Sequence, residues 1–189
     1  MKKYLLHLLF AVAIISLGAC AAAKKWSDKE RAQMQAAIDN YRKMVYLDDL
    51  SNLEFDLFSE ALISNAELLY PSYTVMVELP SSSDTLDVWV VNGIAEQLAE
   101  DADNMRHLYP YHKLVKEGIL PEGLDHASRK AFYNCLAGKI KRRYPNMLFF
   151  VNALLNEKGT AEQIKLKQQK CAADLFDWEV VVESVTVSE

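Results

Sequence analysis

The sequence lacks any apolar run long enough to span a bilayer. The apolar stretch from Tyr4 to Leu17 has 14 residues, whereas a membrane-spanning helix needs about 20. Cysteine is scarce, with three residues in 189, and the nucleophile motif G-x-S-x-G is absent. These absences argue against a permanent transmembrane helix and leave no motif that identifies an enzyme. Whether the chain is an enzyme stays open, and we favour a non-enzymatic role.

The first twenty residues have the three-part layout of a secretory signal. Lys2 and Lys3 precede the apolar stretch, which is interrupted by His7 and followed by small residues. Leu17-Gly18-Ala19-Cys20 then resembles the lipobox of bacterial lipoprotein precursors. The resemblance covers this segment alone. It predicts a signal peptide over 1–19 and a lipidated amino terminus with a short tether over 20–26.

The lipobox resemblance implies that Cys20 is the lipid attachment point. In that family the cysteine thiol carries diacylglycerol, the chain is cut before it, and the new amino terminus is acylated, for example with palmitate. Several acyl chains hold a protein firmly on a membrane. The residue after Cys20 is Ala21 and not an aspartate. By the common sorting rule of Gram-negative lipoproteins, this implies delivery to the outer membrane, with the domain facing the periplasm. Lys24 and Lys25 would then lie close enough to contact anionic headgroups.

The net charge argues against nucleic acid as a partner. Removal of the predicted signal peptide takes away Lys2 and Lys3. Of the 21 basic residues, 19 then remain against 26 acidic ones, which gives a net charge of −7. Met44 to Met105 contains 13 acidic residues and no lysine or arginine, and Arg106 to Lys170 contains 13 basic and five acidic residues. Either the two halves neutralise each other within one bundle, or an acidic face meets a basic partner.

Cys135 and Cys171 are left as an even pair once Cys20 is lipidated. In an oxidising periplasm they can close a disulfide, and the alternative is two separate buried thiols. The loop would span 36 residues, for which chain entropy gives about 4 kcal/mol as an upper-range value.

Apolar periodicity predicts a mainly α fold, a single-domain bundle of about six or seven helices over 27–189. Capping boxes are predicted at Ser27 with Glu30, Ser51 with Glu54 and Thr160 with Gln163, and Asp125 is a further N-cap. Tyr-Pro pairs at 70–71, 109–110 and 144–145 predict helix ends. The predicted helices are 27–47, 52–69, 92–108, 111–117, 126–143, 146–157 and 161–177.

The segment 73–91 is ambiguous. Its β-branched and aromatic residues on either side of Pro80 and a serine run predict a small hairpin, while Asp84 can instead cap a helix reaching Asp101. The C-terminal tail "WEVVVESVTVSE" is strand-like.

A carboxylate stripe gives one candidate metal site. Glu96, Glu100, Asp103 and His107 would share one face of the predicted helix 92–108, and oxygen and imidazole ligands suit several divalent ions. Solvated helix surface explains the stripe equally well. The motifs imply no cofactor, since "DADN" at 101–104 lacks the glycine of a calcium loop.

A basic cluster gives a candidate site for anions or lipid headgroups. Lys139, Lys141, Arg142 and Arg143 crowd the last turn of a predicted helix, where they also complement the helix dipole.

Three functions remain open from the sequence. The first is an envelope lipoprotein whose helical domain binds or scaffolds an envelope protein. The second is a glycan or peptidoglycan hydrolase, which needs two carboxylates converging in a cleft. Pairs such as Glu54 with Glu60 or Asp48 with Asp49 are common in any acidic chain, so they do not favour this function by themselves. The third is a carrier of a lipid or another apolar ligand, which needs an enclosed apolar cavity.

Overall fold

The structure of the protein, a computed structural model, describes residues 26–79 and 82–178. Within these ranges it contains ten α-helices, two short 3-10 helices and no strand. The helices are α1 (Asp28–Asp39), α2 (Val45–Asp48), α3 (Asn52–Leu69), α4 (Tyr73–Val77), α5 (Ser82–Glu100), α6 (Met105–Leu108), α7 (Tyr111–Lys116), α8 (His126–Lys141), α9 (Met147–Asn156) and α10 (Thr160–Phe176). The predicted mainly α fold is confirmed. The strand-like tail begins at Trp178, and its residues from 179 onward lie outside the part of the chain that the structure describes.

Three of the four predicted helix caps are confirmed. Ser27 with Glu30 and Ser51 with Glu54 form reciprocal capping boxes, and the Asp125 side chain accepts a hydrogen bond from the Ser128 amide at the start of α8. The capping box at Thr160 is wrong. Gly159 precedes α10 in the left-handed conformation, with φ of 86°, and Thr160 is buried as the first helical residue.

The predicted hairpin over 73–91 is wrong, because both of its segments are helical. Ser72 caps α4, with its side chain accepting from the Val75 amide. In α5 the large buried side chains recur every fourth residue, at Leu86, Val90, Ile94 and Leu98. That helical spacing prevails over the β-branched composition. The alternative of a helix in this region is the better prediction, although α5 begins at Ser82 and not after Asp84.

Two predicted helices are shorter than expected. The helix predicted over 27–47 ends at Asp39 and continues as the 3-10 helix Asn40–Lys43 and then α2. The helix predicted over 92–108 stops at Glu100, because the Asp101 side chain accepts from the Asp103 amide 2.9 Å away and begins the 3-10 helix Ala102–Asn104. Such local side-chain bonds compete with helix propagation.

Helix α5 lies at the centre of the bundle, in contact with α3, α4 and α9, while α8 pairs with α10. One continuous core joins them, with Ile38, Leu98, Phe132 and Phe150 fully buried. None of the helices described combines the length and apolar character needed to cross a bilayer.

Gly93 allows α5 to approach α3 closely. A Cβ atom at this position would lie 2.9 Å from Cε2 of Phe58 and 3.1 Å from Cδ2 of Leu62. Phe58 and Leu62 are themselves buried, so their side chains have little room to move. The α3–α5 packing therefore depends on the missing side chain of Gly93.

Candidate functional site

Cys135 and Cys171 form a disulfide between α8 and α10, with their Cα atoms 6.0 Å apart. This confirms the predicted pairing. Cys20, Lys24 and Lys25 lie outside the described residues, so lipid attachment and headgroup contact by these residues stay predictions.

The four candidate metal ligands are not brought together. Glu96 and Glu100 are exposed on α5, whereas His107 is buried in α6. Asp103 binds Arg106, with 2.7 Å between Oδ2 and Nη1. In 26–79 and 82–178, no group of three or more histidine, cysteine or acidic side chains has an arrangement that could hold a metal ion.

In the basic cluster at the end of α8, one side chain forms an ion pair and the other three lie at the surface. Lys139 donates to Asp174 of α10 over 2.9 Å, and this contact lowers the pKa of the Asp174 carboxyl. The guanidinium of Arg143 lies 5.7 Å from the ring centre of Tyr144. Lys141 and Arg142 are exposed. Lys139 therefore stabilises the α8–α10 pair, and the other three side chains remain at the surface.

A cleft of about 570 Å³ with charged walls lies where α6, α7 and α8 meet. We call it the polar cleft. It is lined by Asp49, Asp103, Arg106, Pro110, Tyr111, His112, His126, Arg129 and Tyr133.

Hydrogen bonds to backbone groups fix the walls of the polar cleft. Tyr133 of α8 donates its hydroxyl to the carbonyl of Tyr109 over 2.9 Å, and burial raises the pKa of this hydroxyl. The Tyr111 hydroxyl donates to the carbonyl of Pro121 and accepts from the amide of Leu124. The guanidinium of Arg129 lies 5.1 Å from the centre of the Tyr111 ring. These contacts hold α7 and α8 in a fixed relation around the cleft.

The carboxylates of the polar cleft are bound by basic neighbours. Asp49 Oδ2 lies 2.9 Å from Nδ1 of His107, and since a carboxylate only accepts, Nδ1 carries the hydrogen. Arg106 bridges Asp103 and Glu54, with 3.1 Å to Oε1 of Glu54. The hydrogen bonds from Ser51, together with Arg106 and His107, lower the pKa of Glu54.

The carboxylate pairs considered for hydrolysis are separated. Glu54 belongs to the cluster around Arg106, while Glu60 binds Arg31. Asp49 lines the polar cleft, and Asp48 is exposed at the end of α2. Asp49 and Asp103 do share the cleft, but each already has a basic side chain bound to it.

A second feature is an apolar groove between α3 and α5, with a volume of about 360 Å³. We call it the α3–α5 groove. Its lining residues are Leu62, Asn65, Leu68, Leu69, Trp89, Asn92, Gly93 and Glu96. Leu68 and Leu69 are 74% and 69% exposed, so two large apolar side chains at the rim of the groove are exposed to solvent.

A neighbouring groove extends the apolar surface to α9. It has a volume of about 440 Å³ and shares Asn92 with the α3–α5 groove. Val88, Leu148 and Leu155 line it and are each exposed by more than a third. At its edge, burial and a hydrogen bond to Asp87 raise the pKa of the Tyr41 hydroxyl to about 12. Both grooves are open to solvent, unlike the enclosed cavity that a lipid carrier needs.

Neither the polar cleft nor the α3–α5 groove is predicted from the sequence. A signal for the cleft was present, because His126, Arg129 and Tyr133 follow the Asp125 N-cap at i, i+3 and i+7 of one helix. The groove is not predicted because the hairpin prediction assigns the first half of α5, including Trp89, to strands and a turn.

Comparison with known proteins gives no family for the chain. No protein-family model matches it, and no curated protein or solved structure shows significant similarity to it.

Proposed function

We propose that the chain is a lipid-anchored envelope protein whose helical domain binds a protein partner through the α3–α5 groove. The anchor rests on the lipobox resemblance at Leu17 to Cys20. The Cys135–Cys171 disulfide is consistent with an oxidising compartment. Binding rests on the exposure of Leu68 and Leu69 beside Trp89, because apolar patches of this kind mark interaction sites.

The chemistry of the groove favours a basic amphipathic helix as its occupant. The segment from Met44 to Met105, which forms both walls, has 13 acidic and no basic residues. Glu96 lines the groove itself and is exposed. An apolar floor accommodates side chains at i, i+3, i+4 and i+7 of a bound helix. Acidic surroundings attract lysine and arginine on the outer face of that helix and repel acidic segments.

Site-specific photocrosslinking in cells tests the groove. A photoreactive amino acid replaces Leu68 in the full chain, and in a control chain it replaces Leu166, which is 65% exposed on α10. We expect position 68 to capture a different protein, through a basic amphipathic segment identified by mass spectrometry, and position 166 to capture little of it. Equal capture at both positions would refute the proposal. So would capture of a second copy of this chain, of its residues 179–189, or of an acidic segment.

Cell fractionation tests the anchor separately. We expect Cys20→Ser to leave the membrane fraction and Ala22→Ser to remain there, because only the first removes the thiol that carries diacylglycerol. If the Cys20→Ser chain stayed in the membrane fraction, the lipid anchor would be wrong. The groove would still be tested independently by the crosslinking experiment.

A further inference from the structure

We infer that the polar cleft is a binding site for a small ligand that carries a phosphate group. The inference concerns a different surface from the α3–α5 groove and does not depend on the proposed partner. Its basis is the difference between the carboxylates of the cleft, which are bound internally, and Arg129, which is not.

Arg129 is the centre of the inferred site. Within the described ranges, no carboxylate lies at ion-pair distance from its guanidinium, and its buried Nε atom has no hydrogen-bond partner. Buried donors in folded proteins nearly always have a partner, so one without a protein acceptor suggests an acceptor from outside the chain. His126 is one turn away on the same face of α8, and His112 lines the opposite wall.

The acidic residues of the cleft do not prevent an anion from binding beside Arg129. Asp103 forms an ion pair with Arg106, and Asp49 accepts a hydrogen bond from His107, so each carboxylate already has a donor within the wall. The first-turn amide of Ser128 is occupied by Asp125, so the helix start contributes no free donor there. The side chains of Arg129, His112 and His126 therefore supply the recognition.

This set of donors fits a phosphate group better than an isolated carboxylate. The planar guanidinium binds two oxygens at once. The imidazoles of His126 on the same helix and of His112 on α7 offer donors to the remaining oxygens of a tetrahedral anion. The volume of about 570 Å³ suits a small molecule or a single lipid headgroup. Because the hydrogen bonds of Tyr111 and Tyr133 fix the walls, little ordering is needed on binding.

Calorimetric titration of the full chain with inorganic phosphate tests the inference. We expect binding that Arg129→Gln weakens at least about tenfold, since a charge-assisted pair of bonds is lost. Lys130→Gln is the matched control, because Lys130 is exposed on α8 next to Arg129 and does not line the cleft. His126→Gln provides a second variant, and thermal unfolding shows that each variant is folded. Equal phosphate affinity in the Arg129→Gln and Lys130→Gln chains would overturn the inference, as would tighter binding of acetate than of phosphate.

A second experiment distinguishes a lipid headgroup from a soluble ligand as the source of the phosphate group. The full chain with Cys20→Ser is mixed with vesicles containing phosphatidylglycerol, and with vesicles of phosphatidylcholine alone. Flotation that depends on phosphatidylglycerol and on Arg129 supports a lipid headgroup. Binding of inorganic phosphate without such flotation supports a soluble ligand. The absence of both overturns the site.

Discussion

The buried imidazole of His107 is bonded to Asp49, with 2.9 Å between Nδ1 and Oδ2. His107 belongs to α6 and Asp49 follows α2, 58 residues earlier in the chain. The ring of Tyr46 packs against the same imidazole at 5.4 Å, edge to face. This contact joins the acidic first half of the chain to the basic second half at one wall of the polar cleft.

Removing the partner of His107 should destabilise the fold. We expect Asp49→Ala to lower the free energy of unfolding by about 1–3 kcal/mol, because it leaves a buried polar ring without its acceptor. Asp48→Ala is the matched control, since Asp48 is exposed, and it should change stability by less than about 0.5 kcal/mol. Urea unfolding of both variants measures the difference. Equal stability of the two variants would show that the contact is unimportant.

Alanine at two helical glycines should have opposite effects. Gly93→Ala should destabilise the protein by about 1–3 kcal/mol, because the new Cβ meets the buried ring of Phe58 at 2.9 Å. Gly138→Ala should stabilise it by about 0.5–1 kcal/mol, because its Cβ meets nothing within 4 Å and alanine favours the helix. Thermal unfolding compares the two. A stabilised Gly93→Ala chain would contradict the α3–α5 packing.

The disulfide should contribute substantially to stability. Replacing Cys135 and Cys171 together by serine should lower the free energy of unfolding by about 2–4 kcal/mol, because the unfolded chain gains freedom over a loop of 36 residues. A thiol assay on the unreduced, unfolded protein should find neither cysteine free. Detection of both thiols would contradict the bond between α8 and α10.

Acid should weaken the cluster around Glu54. The bonds from Ser51 lower the pKa of Glu54 in the folded state, so they stabilise the fold fully above the unfolded-state value of about 4.3. That contribution is lost as the pH falls through the lower folded-state pKa. We therefore expect stability to decline as the pH falls below the unfolded-state value, and Glu54→Gln to reduce this decline. Asp56→Asn, on the exposed face of α3, should preserve it.

Local signals in the sequence predicted much of the helical fold. Capping boxes at Ser27 and Ser51 and the cap at Asp125 mark real helix starts because side chain and backbone bond within one turn. The Tyr-Pro rule holds at Tyr70 and Tyr109, which are the C-caps of α3 and α6.

Features set by tertiary packing could not be predicted in this way. The segment 73–91 reads as strand by composition, and its burial every fourth residue becomes decisive only once α5 packs against its neighbours. The polar cleft combines Asp49 with Arg129, and the α3–α5 groove combines Leu68 with Trp89. Neither combination has a sequence spacing that identifies it, because each depends on how separate helices meet.

Charge reversal beside the groove tests the central claim most directly. The measurement is the yield of partner captured by the photoreactive residue at position 68, in cells that carry Glu96→Lys or the control Glu157→Lys. Glu96 lines the groove, and Glu157 is exposed at the end of α9. If the occupant is a basic helix, Glu96→Lys should lower the yield several-fold, because like charges repel, and Glu157→Lys should leave it unchanged. An equal yield in the two variants would contradict a groove that recognises a basic partner.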